Sequence, residues 1–118
     1  MVDRHLRDLE RRIEHLEYRT RLLAEIADFG NHPFLYTVLE SNLTESQVTA
    51  IYDLMDEAAK TIRNGKPMND HEFEERIYKI VPSHRGDYHF AEDIVSTLND
   101  KGRWVDVYTH MRKDGMNI

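Results

Sequence analysis

Residues 2–29 contain neither Gly nor Pro, and apolar side chains recur through them at Leu6, Leu9, Ile13, Leu16 and Leu23. Thr20 and Ala27 keep the phase, and the steps from Leu6 to Leu23 are then 3, 4, 3, 4, 3. No residue in this span breaks a helix. The spacing predicts one continuous helix with a heptad seam, Leu6, Ile13, Thr20 and Ala27 at a, and Leu9, Leu16 and Leu23 at d. Over residues 3–21 every position off the seam except Tyr18 is charged or a histidine. A helix of a monomeric bundle usually carries an apolar stripe about 100° wide or more. So narrow a seam points instead to a second helix of the same kind.

The flanking charges set the direction of that pairing. His5, Arg12 and Arg19 fall at g, and Glu10, Glu17 and Ala24 at e. In a parallel assembly a g residue meets the e residue five positions later on the next chain. Arg12 then faces Glu17, and His5 faces Glu10. An antiparallel pair would bring Arg toward Arg and Glu toward Glu. The expected interface is therefore Leu6, Leu9, Ile13, Leu16, Thr20 and Leu23, flanked by Arg12 and Glu17, in a parallel homo-oligomer. Ile at a with Leu at d leans toward two strands, with three as the alternative. Residues 1–29 form this oligomerisation helix, and 30–118 a small helical domain.

Gly30 interrupts the first helix, and Pro33 suits the opening turn of a second, with Phe34, Leu35, Val38 and Leu39 on its apolar face. Ser41 and Asn42 end it. Thr44 and Gln47 match a capping box. The helix behind them, about 45–63, carries Val48, Ile51, Leu54, Met55, Ala58 and Ile62 inward, and Gly65 fits a left-handed stop. Asn69 or Asp70 caps a helix over about 71–81, with Phe73, Ile77, Ile80 and Val81 inward, and Pro82 ends it. Helices over about 88–99 and 103–113 follow, joined by a turn at 99–102. The first brings Ala91, Ile94, Val95 and Leu98, the second Trp104, Val105, Val107, Tyr108 and Met111. The tail from Asp114 is expected to fray. No run alternates as a strand would, so the fold class is all-α: a coiled-coil-type helix, then a bundle of about five short helices.

Charge narrows the partners. Residues 1–23 hold six Arg against five Asp or Glu, whereas residues 24–118 hold ten Lys or Arg against seventeen Asp or Glu. An acidic body repels a phosphate backbone, which disfavours nucleic acid. Cysteine is absent, which removes disulfides, thiolate zinc sites and a cysteine nucleophile. No run approaches the roughly 20 apolar residues of a membrane span, and the charged start lacks a signal-peptide core, so the expected location is the cytoplasm.

Candidate chemistry is thin. There are seven histidines, and His71 and Glu75 have the i, i+4 spacing of a helical metal pair. No second pair accompanies them, and His84, His89 and His110 could meet only through tertiary folding. Solvated or locally bonded histidines are the expectation, with no metal or cofactor. Asn64–Glu75 departs from a calcium loop because Lys66 stands where an oxygen ligand belongs and Asn69 where Gly belongs. No Ser or Thr sits in a glycine-flanked elbow. Segment 88–113 has the lengths of a helix–turn–helix, with Arg103, Arg112 and Lys113 on its second helix, against acidic Glu92 and Asp93 on the first. Trp104 could serve the core or an interface.

The order of elements resembles a known family. RIEHLEYRTRLL in the first helix, then HPFLYTVLESNLT, a long amphipathic helix and FAEDIVSTLNDKGRWVDVYTHM are similar to the YhaI-like family of small uncharacterised proteins from Gram-positive bacteria. The likeness runs from about Ile13 to Met111. Its most telling pieces are Arg12-Ile13-Glu14-His15-Leu16-Glu17-Tyr18 and the Pro33-Phe34 step. It implies a multihelical fold that is oligomeric through its helices, and it brings no catalytic residue, cofactor or activity. The combined expectation is a cytoplasmic, self-associating, non-enzymatic protein that binds an unidentified protein partner. A DNA-associated regulator using 88–113 and an enzyme with a site at a subunit interface are the alternatives.

Overall fold

A computed structural model describes residues 2–99 and 102–118. Among them are six α-helices and two short 3-10 turns, with no strand: α1 (Val2–Ile26), α2 (Pro33–Glu40), α3 (Glu45–Arg63), α4 (Asp70–Ile80), α5 (Tyr88–Asn99) and α6 (Val105–Lys113). The 3-10 turns are Phe29–Asn31 and Pro82–His84. The protein is all-α. The expected turn at 99–102 includes Asp100 and Lys101, which lie outside the described residues. The chain divides into two compact units, Met1–Asn31 and His32–Ile118.

The first unit is α1 and the turn after it. Its helix-breaker-free sequence forms one 25-residue helix. Asp3 with Arg7, Asp8 with Arg12 and Glu17 with Arg21 have acid-first i, i+4 spacing, the order that supports a helix in water.

The second unit closes around one core. Its helical periodicity puts Ile51, Leu54, Met55, Ala58 and Ala59 of α3 inside, with Phe73, Ile77 and Tyr78 of α4. Phe90, Ala91, Ile94, Val95 and Leu98 come from α5, and Val107 and Met111 from α6. Helix α3 packs on α4 and α6, and α5 on α2, α4 and α6. Phe34 is the anchor of α2, whereas Leu35 and Leu39 stay exposed. An eight-residue helix packed mainly on α5, with Phe34 also against Tyr52 of α3, buries only part of its surface.

Local chemistry fixes the helix ends. The Thr44 hydroxyl accepts from the Gln47 backbone N–H at 3.1 Å, and the Gln47 side chain accepts from Thr44 N–H at 2.9 Å, closing the capping box. The same amide donates to the Ile80 carbonyl at 3.2 Å, tying the start of α3 to the end of α4. The Asn69 carboxamide caps α4 at Glu72 N–H, 2.7 Å. Helices α2, α3 and α6 all stop in one way, with a left-handed residue at Asn42, Gly65 or Gly115. Backbone bonds then run from Leu43 to Val38, Lys66 to Thr61 and Met116 to Met111. This is the Schellman arrangement.

At the last of these the structure differs from the expected frayed tail. Met116 is buried and its N–H reaches the Met111 carbonyl at 3.0 Å. The Asp114 carboxylate accepts from Asp70 N–H at 2.7 Å. The Schellman turn folds the chain back, and an apolar residue just after it covers an apolar residue of the last turn.

Candidate functional site

The residues expected at an interface lie along α1. Leu6, Leu9, Ile13, Leu16 and Leu23 are 49%, 40%, 54%, 59% and 61% exposed. Thr20, Arg12 and Glu17 are exposed as well. At 1.5 Å per residue the seam from Leu6 to Leu23 is about 26 Å long. The Thr20 hydroxyl donates to the Leu16 carbonyl one turn back at 2.8 Å, so its hydrogen is satisfied within the helix. Ile13, Leu16, Glu17 and Thr20 line a shallow concavity with Arg21. Those four hold positions a, d, e and a, the outline of a hole that receives a d knob. Beyond Arg21 the apolar surface broadens to Leu22, Leu23 and Ile26.

His71, His84 and His110 each have a different partner. His71 Nδ1 lies 3.9 Å from Glu74, while Glu75 pairs with Arg85 at 3.0 Å. The His71–Glu75 pair is therefore not assembled. The His84 ring stacks on Phe90 with centroids 4.1 Å apart. His110 Nε2 is 2.7 Å from the Met68 carbonyl. His89 is exposed. Among the described residues no group of three or more His, Asp or Glu could hold a metal ion.

The outward surface of α6 carries mixed charge. Asp106 pairs with Arg63 at 3.4 Å, and Arg103, just before the helix, pairs with Asp56 at 3.5 Å. Carboxylates thus accompany cations where a recognition helix would meet phosphates. Between α3 and α4, Asp53, Glu57, Glu72, Arg76 and Lys79 border a hollow of about 480 Å³. The bidentate Arg76–Glu57 contact there lowers the Glu57 pKa, chiefly through the Arg76 hydrogen bond, and raises that of Arg76. On the other side of α4, burial raises the Glu74 pKa, with the charges of Asp70 and Glu92 adding to it and His71 opposing.

A second feature was not legible as a site in the sequence. Trp104 is buried, and its indole N–H donates to Asp56 Oδ1 at 2.9 Å. Its ring stacks on Tyr52, with centroids 5.7 Å apart, and Tyr52 leans on Phe34 at 5.5 Å. The Arg103 guanidinium lies 4.3 Å over the Trp104 ring. Phe34, Leu35, Tyr52, Leu98, Arg103 and Trp104 border a cleft of about 360 Å³. Trp104 shares helical phase with Tyr108 and Met111, which explains its burial. Its partners Tyr52 and Phe34 lie on other helices, and nothing local in the sequence announces the cleft.

Fold and surface together define a small all-α protein whose first helix displays an exposed heptad seam. No helix of the described residues is long and apolar enough to cross a membrane. The chain belongs to the family described as protein of unknown function (DUF1878), whose model matches residues 7–113. That match takes in the seam from Leu9 onward and the helical unit as far as Lys113. No curated protein and no solved structure matches the chain.

Proposed function

We propose that this protein is a cytoplasmic, self-associating interaction module without catalytic activity, joined in parallel through α1 as a dimer or trimer. The observation that carries the reading is the exposed seam. Five large aliphatic side chains, each at least 40% exposed, run in heptad register along one helix. Covering apolar surface contributes about 25 cal/mol per Å², and a second α1 is complementary in both shape and charge. Leu16 of a second copy fits the hole framed by Ile13, Leu16, Glu17 and Thr20. Arg12 of one copy meets Glu17 of the other. The helical unit would then present its acidic surface to a protein partner. The narrower placement in the YhaI-like family of Gram-positive bacteria belongs to the same reading and rests on the Arg12–Tyr18 and Pro33-Phe34 segments.

Sedimentation equilibrium of the intact chain at tens of micromolar tests it. The expected result is a dimer or trimer that Leu16→Lys converts to monomer while helix content in the second unit is kept. Arg12→Glu and Glu17→Arg should each weaken association, and the double variant should restore it. A strict monomer in the unmodified chain contradicts the reading.

A further inference from the structure

The cleft beside Trp104 is lined by residues of the second unit. Its bordering surface is mostly apolar, from Phe34, Leu35, Tyr52, Leu98 and Trp104, and its volume of about 360 Å³ falls in the range of small-ligand sites, roughly 300–1,000 Å³. Apart from the Tyr52 and Trp104 rings, its polar groups are few: His32, Thr97 and Arg103. The Thr97 hydroxyl is turned back to the Asp93 carbonyl of its own helix at 2.6 Å. Among the described residues lining the cleft there is no carboxylate, and the one permanent charge is Arg103. The α3–α4 hollow is the opposite case, bordered by several carboxylates, with its Arg76 already paired to Glu57.

Asp56 organises the charged end from outside the lining. One carboxylate oxygen holds the Trp104 indole and the other sits 3.5 Å from Arg103. The guanidinium is thereby set over the indole ring, 4.3 Å from its centre, with its side chain 59% exposed. A guanidinium carries five N–H donors in a rigid fork, so one contact to Asp56 leaves an edge for a second carboxylate. We propose that this cleft binds a small amphipathic carboxylate, with its apolar body against Leu35, Tyr52 and Leu98 and its carboxylate on Arg103. A neutral molecule of the same shape keeps the apolar contacts and loses the charged one, which sets the specificity.

Trp104 is the only tryptophan in the chain, so its indole N–H gives a single NMR resonance inside the proposed site. The test is titration of the intact ¹⁵N-labelled protein with 4-phenylbutyrate, and with 4-phenylbutanol as the neutral counterpart. The expected result is a saturable shift of the Trp104 indole signal with phenylbutyrate. The alcohol should bind about tenfold more weakly, the loss expected for one charge-assisted hydrogen bond. Arg103→Gln should weaken phenylbutyrate by a similar factor without changing the alcohol, and Arg103→Lys should fall between. Thr97→Phe, which fills the cleft and leaves Arg103 and Asp56 in place, should abolish both and guards against misfolding of the arginine variants. Absence of a saturable shift, equal binding of acid and alcohol, or indifference to Arg103→Gln overturns the proposal. So does an indole signal that follows protein concentration instead of ligand, which would assign the cleft to a second copy of the chain.

Discussion

Trp104 and Asp56 show how one polar contact organises a largely apolar corner. A buried indole needs an acceptor for its N–H, and Asp56 supplies it at 2.9 Å while also meeting Arg103. Asp56→Ala should cost about 1–2 kcal/mol, because it leaves a buried donor unpaired. Urea unfolding measures the loss, and the same change in a Trp104→Phe background should cost clearly less. Glu74 makes a prediction of opposite sign. Burial raises its pKa above 4.5, so the fold favours the neutral acid. Its favourable contribution is complete below the unfolded-state value and is lost as pH rises through the raised value. Glu74→Gln should therefore raise the melting temperature at neutral pH, and the gain should vanish below about pH 4.5. Glu57 behaves conversely. The Arg76 contact lowers its pKa, so its contribution is present above 4.5 and fades as pH falls through the lowered value. Melting curves of Glu74→Gln and Glu57→Gln from pH 3 to 7 separate the two effects.

At the scale of elements, the helix ends specify the second unit as much as its apolar faces do. Gly65 at φ 73 stops α3 where a side chain would strain the backbone, and Gly65→Ala should cost about 1 kcal/mol or more. Met116→Ala should cost about 2 kcal/mol by removing a buried side chain that closes the turn after α6. Denaturant titration checks both. These elements also mark what sequence can reveal. The capping box at Thr44, the Gly65 stop and the heptad spacing of α1 depend on neighbours a few positions apart, and all three patterns were legible. The burial of Met116 and Met68 and the acceptor of Trp104 were not. Asp56 and Trp104 are 48 positions apart, and Met116 is drawn inward by a turn whose outcome depends on the core it meets. Leu35 and Leu39 show the converse limit. Their spacing marks an apolar face, but only packing decides how much of it is covered. Of the two candidate surfaces, the seam repeats along one helix and could be read, while the cleft gathers three helices and the segment before α6 and could not.

For the molecule as a whole, the two units carry different kinds of information. The second buries a continuous core. The first is a single helix whose aliphatic side chains stand exposed, and helices of that kind gain most of their stability from packing partners. A parallel, in-register α1 assembly is the central claim, and the absence of cysteine in the chain makes it directly measurable. Leu6→Cys and Leu23→Cys variants, mixed and oxidised, report orientation through which pairs form disulfides, since bridged Cα atoms must lie within about 7 Å. The account predicts efficient Leu6→Cys and Leu23→Cys homodimers and no mixed species. Crosslinking only between the two different variants would show an antiparallel pair, and no crosslinking at all would show that the seam has no second copy against it.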